Sequence, residues 1–513
     1  METLAGKTDR FSEAFLSRRF QRTALATAII LYLGLILGLV VSQEPYIDEC
    51  NYTLPSWNLV TKGTFGMQIL EPVHYTLMPT WTKIIPGIDK HWFAFMPLPM
   101  AVQVPWYKIF GYTIFSVRLY SFAWALVALV ACYFLVRKLT NDQAIAVLSL
   151  VLIAIDQIFI RRGTIGRMDM MSAALGFSGL SLYVNLREMH LNRAIWSGNA
   201  CIVAAGLSHP NGGMLSFLGL MFLIVCDYRR LRWRHAALAL LPYLVGGLGM
   251  AAYISIDPAN FWAQFTANST GRLGAITSPF SALWNELLYR YLRTFGFDKG
   301  ASLEAGLRVF PLLVYLAALT VVLVGRDFRR VPGYRTLAIL TVIYMLGLTF
   351  LDNFKIGWYL VYVTPLLAML TAIVARWAWD RFPRSAVAAV LLLMIAIPVA
   401  STLRLIVRNP YSNQYLPMIR FLNDHTGPGQ IVMGSSALLF GYGIRDTLVD
   451  DDRLGFYSGK RPAMIVVDEL YQSAFGYYSI QDRGLNEHIR RCFDTEFRPE
   501  FRNDKYTVWV RRR

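Results

Sequence analysis

Thr23–Val41 reads TALATAIILYLGLILGLVV, and the chain continues Ser42-Gln43-Glu44-Pro45-Tyr46-Ile47-Asp48-Glu49. The first stretch has no charged residue and is long enough, at 1.5 Å per residue, to cross the roughly 30 Å hydrocarbon core of a bilayer. Lys7, Arg10, Arg18, Arg19 and Arg22 precede it, which sets that end in the cytoplasm by the positive-inside trend. No small-residue cleavage site follows, so the segment reads as an anchor. Asp48 and Glu49 then fall just outside the hydrocarbon. Two readings fit such a pair: an ordinary solvated loop, or a base that takes a proton from a substrate hydroxyl while a lipid substrate stays in the membrane.

The pattern repeats along the chain. Of 513 residues 55% are hydrophobic, and the mean hydropathy is +0.41. Apolar runs occur near 23–41, 119–136, 144–160, 170–186, 195–208, 212–226, 236–256, 309–324, 334–351, 356–374 and 386–403, about eleven transmembrane helices. Lipid leaves no other partner for backbone polar groups, which makes helices the spanning form. The net charge of +17 does not mark a nucleic-acid binder, because the cations cluster in short loops: Arg137-Lys138, Arg187 to Arg193, Arg229 to Arg234, Arg326 to Arg335 and Arg376 to Arg384. The apolar stretch Trp92–Gly111 carries Pro97, Pro99 and Pro105 and reads as juxtamembrane or re-entrant. That assignment keeps every large basic cluster inside.

Residues 1–22 are then a cytoplasmic N-terminus and 23–403 a membrane domain. Its outer loops cover about 42–118, 161–169 and 257–308, and 404–513 form an outer tail. In the tail, Gln430–Gly434, Pro462–Asp468 and Tyr506–Val510 read as strands, and Ile419–His425 and Leu485–Cys492 as helices. The expectation is a small α/β domain that recognises an acceptor or packs against the membrane part. The five cysteines show no disulfide or zinc spacing.

Several outer residues are candidates for chemistry. Arg161, Arg162 and Arg167 oppose the positive-inside trend, which points to an anionic ligand such as phosphate, or to headgroups, or to pairing with Asp156 and Asp169. Asp156 lies inside a predicted span, where a carboxylate is expensive. Lys355, in Asp352-Asn353-Phe354-Lys355-Ile356-Gly357-Trp358-Tyr359, reaches a lipid phosphate or snorkels to the interface. His74 and His209 fall near the outer face, and Glu71 with His74 makes a two-ligand metal pattern of low specificity. In the long loop Arg272 precedes Glu286–Arg293, where Trp284, Leu287, Leu288, Tyr291 and Leu292 are spaced as on a helix lying along the membrane.

Together these pieces resemble the protein O-mannosyltransferase superfamily, which includes the lipid A aminoarabinose transferase and has the GT-C membrane fold. The resemblance covers most of residues 20–375. It rests on Asp48-Glu49 after the first span, Gly111 to Arg118-Leu119 before the next, Arg161 to Asp169, and Lys355-Ile356-Gly357-Trp358-Tyr359 through Pro365-Leu366. It implies transfer of a sugar from a polyprenyl phosphate to an extracytoplasmic acceptor in the inner membrane. Asp48 would be the general base, Glu49 its support or a ligand for sugar hydroxyls, and Asp169 a residue placing acceptor or sugar. Arg167 and Lys355, with Arg162, would hold the donor phosphate, and Glu71, His74, His209, Tyr359 and Arg272 would line the substrate site. Leu70-Glu71-Pro72-Val73-His74 departs from the family pattern of a basic residue or His before two prolines, which leaves open which cation neutralises the leaving phosphate. No cofactor is certain; a divalent cation in place of the basic residues stays open. A cell-envelope polysaccharide polymerase or ligase, and a lipid or glycolipid transporter, are the competing readings. Transporters often carry inverted repeats and midplane polar residues; here most candidate charges collect at one face and no repeat is evident.

Overall fold

The computed structural model describes residues 18–71, 87–93, 96–269, 278–297 and 303–512. Its long helices follow the apolar runs: α1 (Arg18–Ser42), then, after the short α2 (Ile47–Asn51) and α3 (Leu54–Lys62), α4 (Pro97–Phe110) and α5 (Ile114–Thr140). Next come α6 (Gln143–Ile155), α7 (Gln157–Gly163), α8 (Met168–Leu186), α9 (Leu191–Ser208), α10 (Pro210–Cys226) and α11 (Trp233–Ser255). The membrane part closes with α12 (Leu303–Val324), α13 (Pro332–Leu351), α14 (Thr364–Trp379) and α15 (Arg384–Arg408).

Among the described residues six helices are long and apolar enough to cross a membrane, and seven if the bent pair α6–α7 counts as one span. Helices α8, α9, α10 and α14 cover the other predicted runs but are shorter or more polar. The proline-bearing α4 has 14 residues, about 21 Å at helical rise and too short to span.

The 64° bend between α6 and α7 has a chemical cause. Asp156 ends one helix and caps the next: its Oδ1 accepts from Ile158 N at 3.0 Å and Phe159 N at 2.9 Å. The Tyr315 and Thr364 hydroxyls donate to the same carboxylate at 3.1 and 3.2 Å. The expected pairing of Asp156 with an arginine is therefore replaced by helix capping and two hydroxyls. The cap re-aims α7, and with it Arg161 and Arg162.

The predicted basic loops gather at one end of the bundle, cross-linked by Lys138–Glu188 (2.7 Å), Arg187–Asp227 (3.2 Å) and Arg381–Asp327 (3.1 Å). The start of α5, the start of α8, the α9–α10 turn and the α13–α14 connection meet at the other.

The tail forms a five-stranded sheet in the order β2-β1-β3-β5-β4, with β1 Val432–Met433, β2 Leu448–Val449, β3 Met464–Val467, β4 Phe497–Arg502 and β5 Thr507–Arg511. β1 pairs in parallel with β2 and β3, and β5 runs antiparallel to β3 and β4. Helix α16 (Glu469–Gln481) follows β3, with Asp468 as its cap. The tail is tied to the segment after α3. Asp450 N donates to Ile69 O at 2.8 Å, Glu71 N to Asp450 O at 3.2 Å, and Lys460 Nζ stands 2.6 Å from the Glu71 carboxylate. Glu71 thus joins the two parts of the chain and is a docking residue, contrary to its expected place in the substrate site. His74 and Arg272 lie outside the described residues.

Candidate active site

Tyr46, in extended conformation, ends the linker after α1, and the Asp48-Glu49 pair sits in the single turn of α2. Glu49 is wholly buried. Arg118, from the first turn of α5, donates to both its oxygens at 2.9 Å; Tyr46 N (2.9 Å) and Gly166 N (3.2 Å) complete them. The same guanidinium holds the carbonyls of Val40, Gln43 and Glu44 at 2.8, 2.7 and 2.8 Å. Arg118 therefore pins the end of α1, the linker and Glu49 to one another. With four donors on its carboxylate, Glu49 is an anchor. A bidentate arginine–carboxylate pair with every lone pair met is the arrangement that makes such burial tolerable.

Asp48 faces the other way and keeps 19% of its side chain exposed. Arg167, the residue before α8, pairs with Asp48 Oδ2 and holds Asp169 Oδ2 at 2.7 Å through Nε. Its guanidinium lies 4.1 Å from the centre of the Trp358 ring and 4.8 Å from that of Tyr52. Burial raises the Asp48 carboxyl above its usual range, against the pull of Arg167. On the far side of Asp169, His209 Nε2 stands 3.7 Å from Oδ1. The His209 ring, in the α9–α10 turn, packs on Tyr359 at 5.0 Å. Asp48, Arg167, Asp169, His209 and Tyr359 thus form one cluster from four separate parts of the chain.

Lys355 belongs to an adjoining ionic network. Its Nζ is 3.1 Å from Glu286, which Arg290 Nε approaches at 2.7 Å; Arg290 Nη2 in turn stands 2.9 Å from Asp352. All four are nearly or wholly buried, and two cations balance two carboxylates. Lys355 also takes φ 54°, a left-handed conformation unusual for a long side chain. Glu286 and Arg290 lie on the segment expected along the membrane. Of the expected outward stripe Trp284 and Leu287 are exposed, but Tyr291 is buried, and a π-helical turn over Glu286–Leu292 swings Glu286 and Arg290 inward.

The expectation that Arg167 and Lys355 hold a donor phosphate is accordingly revised: carboxylates of the protein already meet both charges. Arg162 differs. It is 8% exposed, and its Nη1 is buried without a hydrogen-bond partner. Its guanidinium lies 4.8 Å from the same Trp358 ring that carries Arg167. Arg161 and Arg162 line a cavity of roughly 640 Å³ between the bundle and the tail, whose wall includes Tyr46, Ile47, Glu49 and Trp358. Asp48 adjoins this wall through its chain neighbours and through the Arg167–Trp358 contact. Among the described residues no three His, Cys, Asp or Glu side chains come together as metal ligands. The open question of a divalent cation finds no ligand set there.

Arg118, Trp358, Glu286 and Arg290 were not singled out from the sequence as site residues. Arg118 and Trp358 stood inside motifs quoted for the resemblance, which is the signal that points to them.

A helical bundle with a buried acidic–basic cluster at one end, capped by a small sheet domain, defines a polytopic membrane protein. Residues 97–256 match the family described as dolichyl-phosphate-mannose-protein mannosyltransferase. No curated protein matches the chain by sequence. Among solved structures the chain is similar to ArnT from Cupriavidus metallidurans bound to undecaprenyl phosphate, with a TM-score of 0.59 at 15% identity over 95% of this chain and 97% of that one. It is also similar to the Archaeoglobus fulgidus oligosaccharyltransferase tethered to an acceptor peptide, with a TM-score of 0.53 at 13% identity over 98% of this chain and 75% of that one. The chain therefore shares the GT-C fold of these structures, and its likeness to the mannosyltransferase family is confined to residues 97–256.

Proposed function

We propose that the protein transfers a sugar from a polyprenyl-phosphate donor to an acceptor hydroxyl at the extracytoplasmic face of the inner membrane. The observation that carries this reading is the pairing of opposites at one end of the bundle. A partly exposed carboxylate, Asp48, stands on the segment that also walls a cavity lined by a buried guanidinium, Arg162, whose Nη1 has no hydrogen-bond partner. The bound undecaprenyl phosphate of the ArnT structure supports a lipid-linked donor.

In the reaction Asp48 accepts the proton of the acceptor hydroxyl as its oxygen bonds to the sugar's anomeric carbon. The bond from that carbon to the phosphate oxygen breaks, and its electron pair leaves with the polyprenyl phosphate. Arg162, with Arg161 beside it, offsets the charge that grows on the phosphate, an electrostatic effect strengthened by exclusion of water. Arg167 holds the Asp48 and Asp169 carboxylates in place, and Asp169 with His209 and Tyr359 shapes the floor beneath the sugar. Lys355 acts at one remove, through Glu286 and Arg290.

The test is sugar transfer by the purified protein in lipid nanodiscs, following release of polyprenyl phosphate from a sugar-loaded lipid. The wild type should release it only when acceptor is present. Release by an Asp48→Asn variant at the wild-type rate would defeat the assignment of the base. A polysaccharide polymerase or ligase would use the same two steps with a longer donor, and product length separates the two.

A further inference from the structure

The two sides of the cavity differ in chemistry. Arg161 and Arg162 stand on the bundle side. On the tail side Glu469 and Gln472, in the first turns of α16, and Asp504, in the β4–β5 turn, present carboxylate and amide groups. Lys505, beside them, is ion-paired with Glu44. Among the described residues no hydrogen bond or ion pair occupies the side chain of Glu469 or Gln472. A phosphate is repelled by such a wall. Hydroxyl groups are suited to it, since a carboxylate accepts from them and an amide both donates and accepts. The volume falls within the range of about 300–1,000 Å³ usual for small-molecule cavities.

Tyr46 shows how close the two sides are. Burial pushes its hydroxyl up, Asp48 and Glu469 push it further, and Arg167 and Arg162 pull it back. One phenol therefore feels the base, the cationic side and the tail side together.

We propose that the tail side of this cavity is an acceptor subsite for an uncharged saccharide, held through its hydroxyls by Glu469 and Gln472 while the donor phosphate sits against Arg162. The inference rests on the glycosyl-transfer reading above. It makes the C-terminal domain part of the acceptor site, and it selects a sugar hydroxyl over a phosphate-bearing head at this position.

Both residues are exposed, so their replacement leaves the fold intact, which a melting curve checks. The experiment uses the full chain in nanodiscs with two probes. Saturation-transfer NMR follows neutral methyl pyranosides (glucoside, galactoside and mannoside), and a pull-down follows undecaprenyl phosphate. At least one pyranoside should bind the wild type. The double variant Glu469→Ala/Gln472→Ala should weaken it about tenfold or more, the loss of one charged and one neutral hydrogen bond, with undecaprenyl phosphate retained. Arg162→Gln should give the reverse pattern. If none of the three pyranosides binds, or if the double variant binds them as the wild type does, the subsite is wrong. If pyranoside binding is lost in the double variant while Arg162→Gln keeps full lipid-phosphate binding, the acceptor subsite stands and the donor assignment fails.

Discussion

Replacing Asp48 with Asn removes one negative charge and keeps the shape of the side chain. Two effects follow, and their sizes separate them. As general base, Asp48 should supply roughly 10²–10⁴ in rate, or about 3–5 kcal/mol of barrier. As a partner of Arg167, it contributes a charged hydrogen bond of about 1.5–3 kcal/mol. The lower end applies, because Asp48 is 19% exposed and Arg167 keeps Asp169 at 2.7 Å and Trp358 at 4.1 Å. Against a total stability of roughly 5–15 kcal/mol such a loss unfolds very little protein, so unfolding accounts for almost none of a hundredfold fall in turnover. The assay is release of polyprenyl phosphate under single-turnover conditions, beside a thermal melt and a donor-binding measurement. The expected result is turnover down at least a hundredfold, a melt lowered by a few degrees, and donor binding retained. Turnover within threefold of the wild type would refute the base. The pH profile gives a second reading. Burial raises the Asp48 carboxyl, and only the carboxylate can take a proton. Turnover should therefore fall as pH drops through a value above the ordinary Asp value of about 3.9, and this acid limb should vanish in the Asn variant. The stability effect has the opposite sign: a raised carboxyl favours the fold when protonated, and that contribution fades as pH rises from the unfolded to the folded value.

Glu49→Gln should destabilise more than Asp48→Asn, because Arg118 is then left buried without a counter-charge; about 3–5 kcal/mol is expected, read as loss of detergent-stable protein in size-exclusion thermal scans. Arg162→Gln should weaken undecaprenyl-phosphate binding tenfold or more with an unchanged melt, since no protein group loses a hydrogen bond from its Nη1. Lys355→Ala should show the opposite pattern, with a lowered melt and little change in lipid-phosphate affinity, because it strips one cation from the Glu286 network; a selective loss of affinity would return Lys355 to the phosphate site. Lys460→Ala should loosen the tail from Glu71, seen as faster amide exchange in residues 448–455.

Hydropathy alone marked the helices, because a bilayer demands long uncharged runs whatever the fold. The strand at 464–467 was legible as an apolar run ending in Asp468. The strand at 497–502 was not: Arg498, Pro499, Glu500 and Arg502 make it read as loop, and its pairing with β5 overrides that composition. β2, two residues long, carries no periodic signal and exists through its ladder with β1.

The carboxylates and cations of the site could be named from the sequence, since charges beside apolar runs stand out. Their partners could not. Arg167 and Lys355 look as suited to phosphate as Arg162 does; what distinguishes them is which carboxylate the folded chain brings within 4 Å. Those carboxylates are Asp48, Asp169 and Glu286, one of them 119 residues away along the chain. The linear pattern thus determined that this is a helical membrane protein with charges beside its apolar runs, because solvent transfer acts on each segment separately. Tertiary packing alone decided which of those ions neutralise one another and which guanidinium is left facing a cavity, because Coulomb attraction depends on distance in space and not along the chain.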